Sequence, residues 1–400
     1  MRLWNTETFA VQPLEPGTHH PVRLYVCGIT PYDTTHLGHA YTYVVFDVLV
    51  RTLRAAGQPV RYVQNVTDVD DDIIRRAREL GTTWDHLAAK ETARYEADMA
   101  ALNVRAPDVF PRASQTIPKI TALIRQLEAQ GHAYARGGNV YFRVSSVTDY
   151  GRLSRLSREE MVKLSAERGA DPNDPRKQDP LDFILWQESA TGEPCWPSPW
   201  GDGRPGWHIE CSAMALEHLG AQLDVHGGGS DLIYPHHESE IAQSESATGV
   251  RPFARIWTHV GMLRYRGEKM SKSLRNLVLV RDLLQRYDAD SIRVLLLRHH
   301  YHDAWEYTED QLEDAAAWTR RLQAAAGGAG PPKGVPNAAV RAALEDDLDS
   351  PRALRLFEES LLSGDDRWHD AAQILGLRLG RRQVPEGEMK KALGWRAPFS

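Results

Sequence analysis

The sequence predicts an α/β fold: a Rossmann-like, parallel-sheet nucleotide-binding domain with an inserted region and a short helical C-terminal region. Three observations carry this. Residues 22–64 read as strand, Gly/Thr/Pro-rich turn, helix and strand, a βαβ unit that implies parallel pairing with a right-handed crossover. The same alternation resumes at Trp207. Between the two halves, residues 82–200 carry amphipathic helices and a hairpin-like piece instead of further βαβ repeats.

At 400 residues the chain has material for two or three domains. No apolar stretch reaches the length of a membrane span, and Met1-Arg2-Leu3-Trp4-Asn5 lacks the apolar core of a signal peptide. No membrane partner is expected, and a cytoplasmic location is. The net charge of -6 argues against wholesale non-specific nucleic-acid binding. Three cysteines, an odd number, read as reduced thiols available for metal or chemistry.

Taken in order, residues 22–26 form a buried strand, 41–56 a helix stopped by Gly57, and 60–64 the second strand. Thr67 follows that strand's end, where α/β sheets bind ligands. Asp68, Asp70, Asp71 and Asp72 read as caps of the next helix rather than as a divalent-ion site. That helix buries Ile73, Ile74, Ala77 and Leu80 and stops at Gly81. Residues 84–102 place Leu87, Tyr95, Met99 and Leu102 near one helix face, and 114–130 do so with Ile117, Ile120, Ile124 and Leu127. Residues 140–144 are hairpin-like, a polar stretch runs to about 175, and 192–201 are too rich in Pro, Gly and Trp for regular structure.

The second half opens with a helix from Trp207 to near Gly220, then a strand at 223–226 followed by the loop Gly227-Gly228-Gly229-Ser230-Asp231. Pro235 opens a helix to about Ser246, and a strand at 255–259 leads to Lys269-Met270-Ser271-Lys272-Ser273. Helices dominate 281–326, residues 324–336 read as a linker, and 337–400 form a helical tail. The tail's end is basic, with Arg378, Arg381, Arg382, Lys390, Lys391 and Arg396. Residues 1–81 and 201–280 are thus the halves of one nucleotide-binding domain, 82–200 is inserted, and 281–326 is a separate helical region.

Chemistry concentrates in a few places. His36 and His39 stand at a helix start, where backbone N–H groups attract anions and imidazoles can donate to a reacting phosphate. Gly229 and Asp231 after a strand can admit a ribose, whose hydroxyls a carboxylate accepts, although such a loop is also a common tight turn. Lys269, Ser271 and Lys272 can clamp a polyphosphate; the bland alternative is a solvated loop. Cys27, Cys211 and the i, i+4 pair His236 and Glu240 form a donor set that suits zinc better than a hard cation. His226 and His237 compete for the imidazole role, and Cys195 is a free thiol in an irregular loop.

His36-Leu37-Gly38-His39 and Lys269-Met270-Ser271-Lys272-Ser273 together resemble the two signatures of class I aminoacyl-tRNA synthetases. Within that class, residues 65–71, 203–211 and 227–238 resemble the cysteine-specific branch, and the similarity spans roughly residues 20–320. The resemblance implies ATP-dependent activation of L-cysteine to cysteinyl-adenylate, with Mg²⁺ accompanying ATP. It implies Zn²⁺ on Cys27, Cys211, His236 and Glu240, binding the substrate thiolate so that serine is refused without editing. It places cysteine among Cys27, Gly28, Thr30, Thr67 and Trp207, and ATP among Gly38, His39, Gly229, Asp231, Lys269, Ser271 and Lys272. His36, His39, Lys269 and Lys272 are the implied catalytic groups, and 281–326 a stem-contact-like helical region.

Two branches share this half-reaction. Cysteinyl-tRNA synthetase passes cysteine to tRNA; the mycothiol-pathway cysteine ligase passes it to the amine of a glucosaminyl-inositol. Residues 28–33 and 276–280 resemble the ligase, since the synthetase carries Pro-Thr-Val where Ile29-Thr30-Pro31 stand. The tail is short for an anticodon domain, although residues 344–354 resemble the start of the helical bundle found in both. Glu240 and Lys272-Ser273-Leu274 follow the synthetase. Arg275 and His302 depart from both, which usually carry Gly and Arg there. A small amine is the favoured acceptor and tRNA(Cys) the alternative. A non-catalytic paralogue is the third reading, opposed by the intact signatures.

Overall fold

The chain begins with a hairpin, β1 (Arg2–Asn5) and β2 (Ala10–Pro13). The central unit is β3 (Val22–Ile29), α1 (Leu37–Ala55) and β4 (Val60–Val66), with β3 and β4 parallel as the βαβ reading requires. The structure is a computed structural model describing residues 1–15, 21–32, 35–270, 276–327, 337–379 and 391–395. Helix α1 begins at Leu37, earlier than the expected residue 41, because His36 caps it: its Nδ1 accepts the Gly38 N–H at 3.0 Å.

In α2 (Asp71–Glu79) the capping reading of the aspartates holds, since the Asp70 carboxylate accepts the Asp72 N–H at 2.7 Å. Asp68 is engaged elsewhere, accepting from the Ser114 N–H at 2.9 Å and hydroxyl at 2.6 Å. Leu80, expected in the core, instead lies past the helix end and is exposed. Ile73, Ile74 and Ala77 alone supply that helix's buried face.

Residues 82–200 hold α3 (Trp84–Ala101), α4 (Ile117–Ala129) and the hairpin β5 (Ala133–Arg136) and β6 (Asn139–Phe142). The polar stretch up to about 175, in which no element was placed from the sequence, contains a helix, α5 (Arg158–Glu167). A capping box starts it, Ser157 and Glu160 each bonding the other's backbone N–H. β7 (Phe183–Glu188) and β8 (Gly203–Pro205) complete an antiparallel sheet in the order β5-β6-β7-β8. It packs on α4 around Ile120, Phe142, Leu185 and Trp186.

The second half runs through α6 (Trp207–Leu219), β9 (Leu223–Gly229), α7 (Glu238–Thr248) and β10 (Ala254–Val260). The three glycines, expected as a loop, belong to β9: Gly227, Gly228 and Gly229 pair with Thr258, His259 and Val260. Glycine is required because α1 lies so close that a Cβ on Gly227 would sit 2.2 Å from the Phe46 ring. The parallel sheet has the order β10-β9-β3-β4. Its neighbours reverse at β3 and β9, and the carboxyl ends of such a pair open the crevice in which α/β sheets bind ligands.

A small sheet and helices follow: β11 (Leu263–Tyr265), β12 (Glu268–Lys269), α8 (Val280–Leu284), α9 (Ala289–Leu297), β13 (Trp305–Glu306) and α10 (Glu309–Gly327). Helix α10 thus occupies the first part of the expected linker. α11 (Ala338–Glu345), α12 (Ser350–Leu362) and α13 (Trp368–Leu375) join the same apolar core as α1 and β3. Arg293, fully buried, ties these layers: it pairs with Asp47 of α1 and donates to the Leu375 and Leu102 carbonyls at 2.6 and 3.1 Å. Arg378 is held against the fold as well, donating to the Ala100 carbonyl at 3.1 Å. Arg381, Arg382, Lys390 and Arg396 of the expected basic tail lie outside the described residues. Among the described residues no helix is long and apolar enough to cross a membrane.

Candidate active site

Cys27 stands near the carboxyl end of β3, at a distortion of the β3–β4 ladder between Val26 and Ile29. The next residue explains how the strands pass so closely. Gly28 donates its N–H to Asn65 Oδ1 at 2.8 Å, and a Cβ on it would lie 1.6 Å from the Asn65 carbonyl oxygen. Asn65 Nδ2 also reaches the Thr67 hydroxyl at 3.1 Å, while the Thr67 N–H donates to the Ile29 carbonyl at 2.9 Å. One asparagine thus fixes the ends of both strands around Cys27.

Helix α6 brings Cys211 to that point, the turn at Ile233–His237 brings His236, and the first turn of α7 brings Glu240. The thiol sulfurs are 3.8 Å apart, Cys27 Sγ is 3.6 Å from Glu240 Oε2, and His236 Nε2 is 3.6 Å from the same oxygen. The four donor atoms lie within 4.8 Å of one another, and all four residues are buried. A disulfide is excluded, because its sulfurs would be about 2.05 Å apart. Tetrahedral zinc, with Zn–S near 2.3 Å and Zn–O near 2.0 Å, holds two sulfurs about 3.8 Å apart and a sulfur and an oxygen about 3.5 Å apart. The donor set fits a zinc-type ion in chemistry and in spacing.

The protonation behaviour agrees. Burial pushes the Cys27 thiol well above its usual range, and Cys211 and Glu240 add to it. Burial raises the Glu240 carboxyl despite its bond to Cys27, and drives the His236 imidazole well below its ordinary value, with His208 and His226 adding to that. Binding a dication here is therefore coupled to proton release from Cys27 and Glu240.

An overlapping set, Cys27, His226, His237 and Glu240, meets the same distance limit. It offers one thiol instead of two, a poorer match for a soft site. His226 Nε2 is taken up by Glu240 Oε1 at 3.2 Å, whereas His237 shares the arrangement of His236, its Nδ1 2.7 Å from His259 Nε2 and its Nε2 3.8 Å from Glu240 Oε2. His236 has the arrangement of a ligand. Its Nδ1 is 3.0 Å from His208 Nδ1, which orients the ring with Nε2 toward Glu240. His208, His259 and Asn65 were not singled out in the sequence; His208 and Asn65 sit inside the quoted motifs, where only the spatial pairing distinguishes them.

The Trp207 ring stacks on His236, 4.3 Å between centroids at 22°. Thr30 follows β3, and Gly38 and His39 lie in the first turn of α1. The rings of His36 and His39 stack 3.8 Å apart at the helix N-terminus. Gly229 ends β9, and Asp231 follows it. The Asp231 carboxylate takes Lys269 Nζ at 2.7 Å, with Arg168 Nη1 at 3.9 Å. Burial raises the Asp231 carboxyl, but Lys269 and Arg168 more than offset this and hold it below its ordinary value. The lysine of one expected ATP contact is thus paired with the carboxylate of another. Ser271, Lys272, Ser273, Leu274 and Arg275 lie outside the described residues, as do Asp33 and Thr34. Cys195 is an exposed free thiol.

Residues 13–317 match the family described as tRNA synthetases class I (C) catalytic domain, and the chain belongs to that family. The chain is 49% identical over 356 residues to an L-cysteine:1D-myo-inositol 2-amino-2-deoxy-alpha-D-glucopyranoside ligase of Acidothermus cellulolyticus, covering 88% of this chain and 87% of that protein. It is 48% identical over 362 residues to a Cysteine--tRNA ligase of Paramagnetospirillum magneticum, covering 89% and 78%. Mycobacterium tuberculosis methionyl-tRNA synthetase bound by methionyl-adenylate superposes with a TM-score of 0.63 at 18% identity, over 94% of this chain and 88% of that one. That likeness shows the fold, and it bears out the Rossmann-type class expected from the sequence.

Proposed function

We propose that this chain is an ATP-dependent cysteine ligase that makes cysteinyl-adenylate and passes the cysteinyl group to a small amine of the glucosaminyl-inositol kind. The observation that carries cysteine as substrate is the buried thiol pair of Cys27 and Cys211, 3.8 Å apart beside His236 and Glu240. Zinc held by these four residues would supply a soft Lewis acid that favours a thiolate over a hydroxyl.

The residues of the two halves, 1–81 and 201–280, divide the remaining work. Trp207, stacked on His236, walls the amino-acid pocket, with Gly28, Thr30 and Thr67 lining the strand ends. The cysteine carboxylate oxygen attacks the α-phosphorus of ATP, the bond from that phosphorus to the bridging oxygen breaks, and pyrophosphate leaves. His36 and His39, whose rings stack at the N-terminus of α1, donate to the charge developing on the phosphate. Lys269 exchanges Asp231 for the outgoing phosphates, joined by Ser271 and Lys272. The released Asp231 carboxylate then accepts the ribose hydroxyls beside Gly229. In the second step the acceptor amine attacks the cysteinyl carbonyl carbon, loses a proton, and AMP departs.

The amine reading is supported by Ile29-Thr30-Pro31, by residues 276–280 and by the ligase-named relative. Glu240 and the tRNA-ligase-named relative favour tRNA(Cys) as the second reading. The chemistry suits a reducing cytoplasm. Isotope exchange between pyrophosphate and ATP tests the activation step. It is expected with cysteine and absent with serine; equal exchange with both amino acids overturns the thiolate-selecting centre.

A further inference from the structure

The loop after α9 gathers three metal-donor side chains that the activation chemistry leaves unused. His300 Nε2 and His302 Nε2 lie 3.8 and 3.9 Å from the same oxygen, Asp347 Oδ2. All three donor atoms fall within 4.8 Å of one another. These separations are too long for direct hydrogen bonds.

Each side chain is oriented from its other side. Asp347 Oδ1 accepts the Trp4 N–H and the Tyr301 hydroxyl, both at 2.7 Å, which leaves Oδ2 for the imidazoles. His302 stacks on Trp4 at 5.4 Å and 21°, with Nδ1 3.4 Å from Asp303 Oδ1. A carboxylate behind an imidazole is the usual support of a ligating histidine. The His300 ring lies 4.5 Å from that of His302, and its buried Nδ1 has no hydrogen-bond partner among the described residues. Asp347 has a φ of +56°, a left-handed conformation that a non-glycine residue keeps only where its surroundings hold it. His302 is also the position singled out in the sequence as a departure from Arg. Imidazole there turns a fixed cation into a second nitrogen donor.

We propose that His300, His302 and Asp347 form a second site for a divalent transition ion of the zinc type. It fastens the connection between α11 and α12 to the loop after α9 and, through Trp4, to β1. Two imidazoles and one carboxylate match such an ion, with a remaining position for water. Bonds of about 2.0–2.1 Å place tetrahedral ligands about 3.3 Å apart, so the side chains close by about half an ångström. The site shares no residue with the thiol centre and holds no sulfur.

Cobalt titration of the full-length, chelator-treated protein separates the two sites. Cobalt at a thiolate centre absorbs strongly through sulfur-to-metal charge transfer; at a nitrogen and oxygen site it shows only weak visible bands. The expected result is a further equivalent of Co²⁺ that adds no charge-transfer absorption and raises the Tm. H302Q and H302R should lose that equivalent and its Tm increment while keeping any charge-transfer band. D347N is a less direct variant, because Trp4 and Tyr301 also rely on this carboxylate. Absence of the sulfur-free equivalent from the wild type, or its survival in H302Q, overturns the proposal and leaves a histidine–aspartate ion-pair cluster.

Discussion

Replacing Gly28 by alanine tests whether the close passage of β3 and β4 builds the thiol centre. The added Cβ would lie 1.6 Å from the Asn65 carbonyl oxygen, a rigid backbone atom. The strands must therefore separate by well over an ångström at this point. Overpacking of this kind costs about 1–3 kcal/mol. The separation also breaks the 2.8 Å bond from Gly28 N–H to Asn65 Oδ1, and leaving those buried groups unpaired costs about 1–3 kcal/mol more. Since Cys27 is the adjacent residue, its sulfur moves with the strand and the 3.8 Å spacing to Cys211 is lost. Urea unfolding of Gly28→Ala should thus show a loss of about 2–6 kcal/mol, and zinc content measured beside wild type should fall. A variant within 0.5 kcal/mol of wild type that keeps its full zinc refutes the account of this strand pair.

Other predictions follow from the same contacts. Burial alone would raise the Asp47 carboxyl, but Arg51 and Arg293 hold it below 3.8. The folded state therefore binds fewer protons than the unfolded one in that range. The contribution is full above the unfolded pKa of about 4 and is lost as pH falls through the folded value. Asp47→Asn, which leaves Arg293 buried and uncompensated, should lose about 3–5 kcal/mol at neutral pH and flatten the acid limb of the stability profile; an unchanged limb contradicts it. His208→Ala removes the partner that orients His236, so zinc affinity should drop by about 10- to 100-fold. Competition with a chromophoric chelator reads this, and a wild-type affinity would show that His208 does not position the ligand. Asp231→Ala frees Lys269 while removing the carboxylate proposed for the ribose, so KM for ATP should rise more than KM for cysteine. Equal changes in both would assign Asp231 a merely structural part.

What the sequence made legible is what depends on residue type and short spacing. Strand–turn–helix–strand at 22–64 follows from apolar patterning and Gly57, and it was found in place. The aspartates before Ile73 were readable as caps for the same reason. Cys27, Cys211, His236 and Glu240 stood out as donors by chemistry, but their meeting point depends on how β3, α6 and α7 pack. The triple glycine misleads because glycine usually marks a loop; here it makes room for Phe46 within a strand. Helix α5 was hidden in a polar stretch, although Ser157 and Glu160 already spelled its capping box. The pairings of His208 with His236 and Lys269 with Asp231 join residues distant in sequence, which no local pattern shows.

The central claim is that cysteine is activated here and delivered to an amine. It is tested most directly by offering both acceptors together: tRNA(Cys) transcript and glucosaminyl-inositol, with ATP and labelled cysteine. The account predicts that label enters the amide of the amino-sugar, with AMP formed in step, while the tRNA stays uncharged. Efficient charging of the tRNA with the amino-sugar left untouched would contradict it.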